Sequence, residues 1–138
     1  MKFFKYILFL SFITNYTYAA SNYFSEGKLF YEKKQFEKAK FKFEQDIVFN
    51  PKNEKSYLYL SKIFNKQEKK DLEEKNLKTV ILLNPKNEDA LYSLAKLRLK
   101  KSDFSGSREL IDQLLNFCKS YCQKSQKLKV EIENSIKN

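Results

Sequence analysis

The sequence predicts an all-α fold, three helix-turn-helix repeats followed by a C-terminal capping helix. Three observations lead there. The pentapeptide Asn50-Pro51-Lys52-Asn53-Glu54 returns unchanged as Asn84-Pro85-Lys86-Asn87-Glu88, 34 residues on, and self-similarity at such a period marks an array of like units. Two glycines and two prolines in 138 residues leave little material for strand hairpins. Apolar residues recur three, four and seven apart, the period of one helix face.

The first twenty residues are a separate object. Lys2 and Lys5 give a positive start, Tyr6 to Ile13 is apolar apart from Ser11, and Thr17-Tyr18-Ala19 sets small residues where a signal peptidase reads, with Ala20 next. This pattern is a secretory signal peptide with cleavage expected after Ala19 or Ala20. The alternative, an uncleaved anchor, has a short apolar stretch for a bilayer span. The expected product is an exported chain from residue 21, periplasmic or secreted.

Reading backwards and forwards from the two prolines, the first repeat (about 20–53) carries Tyr23, Gly27, Phe30, Phe36, Ala39, Phe43 and Ile47. The second (about 54–87) carries Tyr57, Leu60, Phe64, Leu77 and Ile81, and the third (about 88–121) Leu91, Leu94, Ala95, Phe104, Ile111 and Leu115. Within each, two helices meet at a short polar turn near 33–35, 67–69 and 101–103. Between repeats, Pro51 and Pro85 stop the preceding helix, since proline offers no amide hydrogen and clashes backwards. Asn53 and Asn87 can cap the next helix through their side-chain oxygens, and Glu54, Glu88 and Asp89 put negative charge at its positive end. A last amphipathic segment, about 121–136, has Cys122, Leu128, Val130, Ile132 and Ile136 as apolar candidates; an array needs such an element over its final core.

These residues resemble the tetratricopeptide repeat (TPR) family, whose pattern is a bulky residue, Leu-Gly, Tyr, then Gly-x-Tyr, Ala, an aromatic, Ala-Leu and Pro. The first repeat matches at Tyr23, Gly27, Phe30, Phe36, Ala39, Phe43, Ile47 and Pro51. The second departs, with Glu73 at the small position of Ala39 and Lys70 in place of the aromatic; a shifted turn with Leu72 compensating is the expectation there. The third has Ser107 at the small site and Arg98 where an aromatic belongs. The resemblance covers about residues 21–122 and implies a right-handed α-solenoid whose first helices line a concave groove for a peptide or partner helix. The positions it assigns to that groove are Phe24, Lys28 and Tyr31; Lys55, Tyr59, Lys62 and Lys66; and Tyr92, Lys96 and Lys100. Lys28, Lys62 and Lys96 are 34 apart, a column suited to an acidic extended segment, although lysine is common enough here that such columns also arise by chance. The carboxylate clamp of chaperone-binding members is broken: Phe24 and Asp89 stand where clamp lysines would be, and Lys28 where an Asn would be.

The formal charge of +10 falls to +8 without Lys2 and Lys5. Arg98 and Arg108 are the only arginines, whereas nucleic-acid grooves favour arginine for bidentate contacts; nucleic acid is not the expected partner. Catalysis is not expected either. The chain has no histidine, the commonest acid-base residue, no glycine-rich phosphate loop, and an acidic cluster, Asp71-Glu73-Glu74, that reads as a solvated helix face among lysines. No cofactor or metal is expected, because two thiols without histidine cannot close a zinc site. The expected function is a non-catalytic interaction module or scaffold for a protein or peptide with acidic side chains. Self-association as a structural subunit, and adhesion to polyanions or anionic membrane surfaces, are the other readings.

Adding 34 to Asn84 and Glu88 gives Cys118 and Cys122, so the cysteines flank the third inter-repeat turn. In an exported chain a pair favours a disulfide over two free thiols. Its loop is short, so its contribution would be on the order of 2 kcal/mol or less. A helix through 118–122 would strain such a bond, and a real turn would relieve it.

Overall fold

The computed structural model describes residues 22–137. Among them are seven α-helices and no strand: α1 (22–32), α2 (Phe36–Phe49), α3 (Glu54–Lys66), α4 (Lys70–Leu83), α5 (Glu88–Lys100), α6 (Phe104–Leu115) and α7 (Cys122–Lys137). The predicted leader and its cleavage site lie outside the described residues. Helices α2, α4 and α6 start at 36, 70 and 104, and α3, α5 and α7 at 54, 88 and 122, always 34 apart. The capping helix thus begins at the register of the first helix of a fourth repeat.

The three turns inside the helical pairs share one geometry. Lys34, Glu68 and Ser102 have φ of 59°, 58° and 59°. At each, the left-handed residue's amide bonds a carbonyl three back, and the next amide one five back: Lys34 to Tyr31 and Gln35 to Phe30, Glu68 to Asn65 and Lys69 to Phe64, Ser102 to Leu99 and Asp103 to Arg98. This is a Schellman ending, normally built on glycine. The second of these turns keeps the register, so the shift expected around Leu72 does not occur, and Leu72 stays 42% exposed. Glu73 is instead accommodated where it stands. It is buried, and its carboxylate accepts from Asn65 Nδ2 at 2.9 Å. One repeat either side, the same position holds Ala39 and Ser107, the latter donating to the Ala95 carbonyl at 2.8 Å. Glu73 is therefore no part of a solvated acidic face; Asp71 is exposed, and the largely covered Glu74 shares Lys101 with it.

The chain divides into two compact bodies at Leu60/Ser61, a boundary inside α3. In the first, Ala39, Phe43 and Leu60 are buried. The Phe43 ring lies so close over Gly27 that a Cβ there would sit 2.7 Å from it; only glycine admits the contact. Asp46 is buried too, accepting from Asn53 Nδ2 at 2.6 Å and from the Ser56 hydroxyl. Asn53 also keeps the capping role expected of it, its Oδ1 accepting from the Lys55 amide in the first turn of α3 at 3.3 Å. Asn87 caps as expected, accepting from Ala90 N at 3.0 Å. Shifting Asp46 and Ser56 by 34 gives Val80 and Ala90, both fully buried. A polar pair in one repeat is thus an apolar pair in the next.

In the second body, Leu91, Ala95, Ile111 and Leu114 form a core closed by Leu128 and Ile132 of α7. Removing each of these leucine and isoleucine side chains from water stabilises by roughly 1.5–3 kcal/mol. Val130 and Ile136, also expected to be apolar contacts, are 54% and 52% exposed; Val130 lies off the face that Leu128 and Ile132 turn inward, and Ile136 continues that face into the last turn of α7. Leu114, absent from the expected core, is fully buried.

The third inter-repeat turn is irregular from 118 to 121. Cys118 and Cys122 are bonded across it, with Cα atoms 5.3 Å apart. Because the backbone leaves the helix there, the strain that a continuous helix would impose does not arise.

Candidate functional site

The positions assigned to partner binding lie on α1, α3 and α5, and the two bodies treat them differently. In the first body, Phe24, Tyr31 and Tyr59 join the core. Tyr59 stacks on Phe43 at 4.9 Å, Tyr31 meets Tyr59 edge-on at 5.0 Å, and Phe24 meets Tyr59 at 5.9 Å. These three rings remain half-buried, so each both packs and presents an edge. Lys28 is exposed and reaches Glu32 at 3.8 Å, one turn on; such pairs contribute little in water. Lys55 is exposed in the first turn of α3.

In the second body, Lys62 donates to Asp89 Oδ2 at 2.6 Å. The other Asp89 oxygen accepts from Ser93 Oγ at 3.3 Å, and the Tyr121 phenol lies near enough to this carboxylate to feel its charge. Desolvation, then the Asp89 charge, pushes the Tyr121 phenol up from its ordinary value. The Lys62–Asp89 pair therefore ties α3 to α5, and Tyr121 of the turn before α7 stands beside it. Tyr92 packs on Tyr121 with ring centres 5.4 Å apart. Lys96 lies over the Tyr92 ring at 5.9 Å and Lys124 over Tyr121 at 4.9 Å, distances at which an ammonium is attracted to the ring face. Lys66 and Lys100 end α3 and α5 and are exposed. The three lysines of the 34-residue column thus differ: Lys28 faces solvent beside Glu32, Lys62 is tied to an acid, and Lys96 rides on a tyrosine.

Two residues with large roles were not among the expected contacts. On sequence Tyr121 is only the start of the cap. Glu88 is on sequence a helix-dipole charge, yet its carboxylate accepts from three successive amides, Lys119, Ser120 and Tyr121, each at 2.9 Å. Partial desolvation raises the Glu88 carboxyl, but these three amides and the Lys119 charge outweigh it and hold it below the usual carboxylate range. The missed signal was positional: the third turn lacks the Asn and Pro that organise the second, so its amides need another acceptor. In the second turn Asn84 serves itself, its Oδ1 accepting from Lys86 N at 3.2 Å and its carbonyl from Asn87 N at 3.1 Å.

Among the described residues no group of three or more metal-ligating side chains is gathered, and no helix is long and apolar enough to cross a membrane.

No protein-family model matches the chain, and no curated protein matches it. Solved structures do. The TPR2B domain of yeast Sti1, in complex with pHsp70, superposes with a TM-score of 0.75 at 15% identity, over 84% of this chain and 97% of that one. The first TPR of Spaghetti, bound to the HSP90 peptide SRMEEVD, gives 0.77 at 11% identity, over 86% and 94%. The type III secretion translocator chaperone SycD of Yersinia enterocolitica gives 0.75 at 13% identity, over 86% and 95%. With helices starting every 34 residues and a seventh closing the core, this chain has the tetratricopeptide-repeat fold.

Proposed function

We propose that this chain is an exported, non-catalytic interaction module that holds an acidic peptide or helix of a partner against the face of its first helices. The observation that carries the reading is the arrangement on the second body's α5, where Tyr92 and Lys96 present a flat ring beneath an exposed ammonium. Rings of this kind supply contact area at low entropic cost, and the ammonium selects for carboxylates. The fold supports it, since the Sti1 and Spaghetti domains are described in complex with pHsp70 and with an HSP90 peptide. The ligand is not expected to be a chaperone tail of that kind, because Asp89 occupies a clamp position and already engages Lys62.

The test is affinity capture with the mature chain and with a Lys28→Ser, Lys62→Ser, Lys96→Ser variant. The proposal expects the variant to lose its partners; unchanged capture would refute it. Salt separates this reading from adhesion to polyanions, which should collapse between low and moderate ionic strength. Self-association has a specific support, the structure of SycD described as an alternative dimer, and light scattering of the mature chain decides it. Export is tested by the N-terminus and location of the chain recovered from its cells.

A further inference from the structure

The third inter-repeat turn is built unlike the second and does something the second cannot. Its amides at 119, 120 and 121 point at one acceptor, the Glu88 carboxylate, 31 to 33 residues earlier. All three lie inside the ring closed by Cys118 and Cys122. The same ring delivers Tyr121, whose aromatic ring packs on Tyr92 beneath Lys124. Immediately beyond it begins α7, carrying Leu128 and Ile132 into the core. Three successive amides converge on one carboxylate only while the backbone keeps a tight concave path. A five-residue ring restricts that path; an open loop without proline does not.

We propose that residues 118–122 form a thiol-controlled latch which sets Tyr121 into the interaction face as an additional partner-contacting residue. Both cysteines are half-buried, Cys118 against the core, and neither is closed off from a small dithiol. One of its thiolates attacks one sulfur of the bond, and the other cysteine leaves as a thiolate. The second thiol of the reagent then resolves the mixed disulfide. The reagent ends as a disulfide, having given two electrons and two protons to Cys118 and Cys122. Opening the ring frees the 119–121 amides to leave Glu88, and Tyr121 then leaves Tyr92. The contact made by Tyr121 rests on the peptide-face reading above; the latch does not.

Two measurements on the mature chain decide the matter. The first is amide hydrogen exchange with and without dithiothreitol, with the amides of α3 to α6 as the internal control of folding. The latch predicts that 119–121 lose protection on reduction by about tenfold or more, and that Glu88→Gln mimics this loss in the oxidised chain. Equal protection in both redox states overturns it. The second is binding of a fluorescein-labelled glutamate-rich peptide. Binding about tenfold weaker after reduction, and similarly weak in oxidised Tyr121→Ala, supports the contact role; equal binding by all three overturns it. Should no form bind the peptide while the amides still respond to reduction, the latch stands, and both the acidic-peptide reading of the face and the contact role fall.

Discussion

The turns at 50–54 and 84–88 share five letters and sit on different cores, whereas the turn at 118–122 matches them at no position and still starts its helix on the same register. Under the first turn lies Asp46, held by Asn53 and Ser56; under the second lie Val80 and Ala90. The third replaces Asn-Pro with a disulfide ring and the distant carboxylate of Glu88. What is common to all three is that each provides an acceptor for amides it turns out of the helix: the Asn50 carbonyl for Asn53 N, Asn84 for Lys86 N and Asn87 N, and Glu88 for residues 119–121. The register therefore follows from helix length and polar satisfaction, and the letters are one solution among several.

The largest expected effect tests whether the first two cores are interchangeable. Ser56→Ala alone leaves buried Asp46 short of a donor and should cost about 1–3 kcal/mol in urea unfolding. Adding Asp46→Val installs the pair found at Val80 and Ala90, and most of that loss should return. Strictly additive costs would mean that the repeats do not share a core geometry.

Next is the shared Schellman ending. Lys34, Glu68 and Ser102 occupy the left-handed region, where a side chain costs roughly 1 kcal/mol relative to glycine. Lys34→Gly, Glu68→Gly and Ser102→Gly should each stabilise the chain by up to about that amount, and by similar amounts if the three turns are equivalent. Destabilisation at one of them would single out that turn as different.

The smallest effect concerns Glu73, against Ala39 and Ser107 at the same register. Desolvation raises its carboxyl above the ordinary value, although the Asn65 hydrogen bond and the charges of Lys100 and Lys70 pull it down. A raised folded value means that the native state holds the proton more tightly than the unfolded one. Glu73 therefore lowers stability as pH rises from the ordinary carboxylate value through the raised one, and stays unfavourable at neutrality. Glu74 works in the opposite sense. Hydrogen bonds from Lys101 and Lys78 lower it to about 2, so its contribution is present above the ordinary value and fades as pH falls towards that figure. Glu73→Gln should raise the melting temperature modestly at pH 7 and remove the Glu73 limb of the pH profile; no change would show that the site is effectively solvated.

Much of this was legible. The duplicated pentapeptide and the apolar spacing located six helices and the cap, because helix stops, caps and faces are local properties of the chain. The polar interior was not legible. Asp46 and Glu73 look like surface acids until the residues seven to ten positions away, Asn53, Ser56 and Asn65, are known to face them. The tyrosines were assigned to a binding face on register alone, and register cannot tell that Tyr31 and Tyr59 also pack on each other and on the core. Glu88 was furthest from reach, since its partners lie a whole repeat away and only the missing Asn-Pro pointed to the need for it.

The most direct test of this account is to transplant the second turn into the third, with Cys118→Asn, Lys119→Pro, Ser120→Lys, Tyr121→Asn and Cys122→Glu, and to follow amide exchange at Leu128 and Ile132 with Glu88 intact or changed to Gln. The account predicts that Glu88→Gln loosens α7 in the natural chain and has no effect in the transplant, whose turn supplies its own acceptor. An equal response to Glu88→Gln in both chains would contradict it.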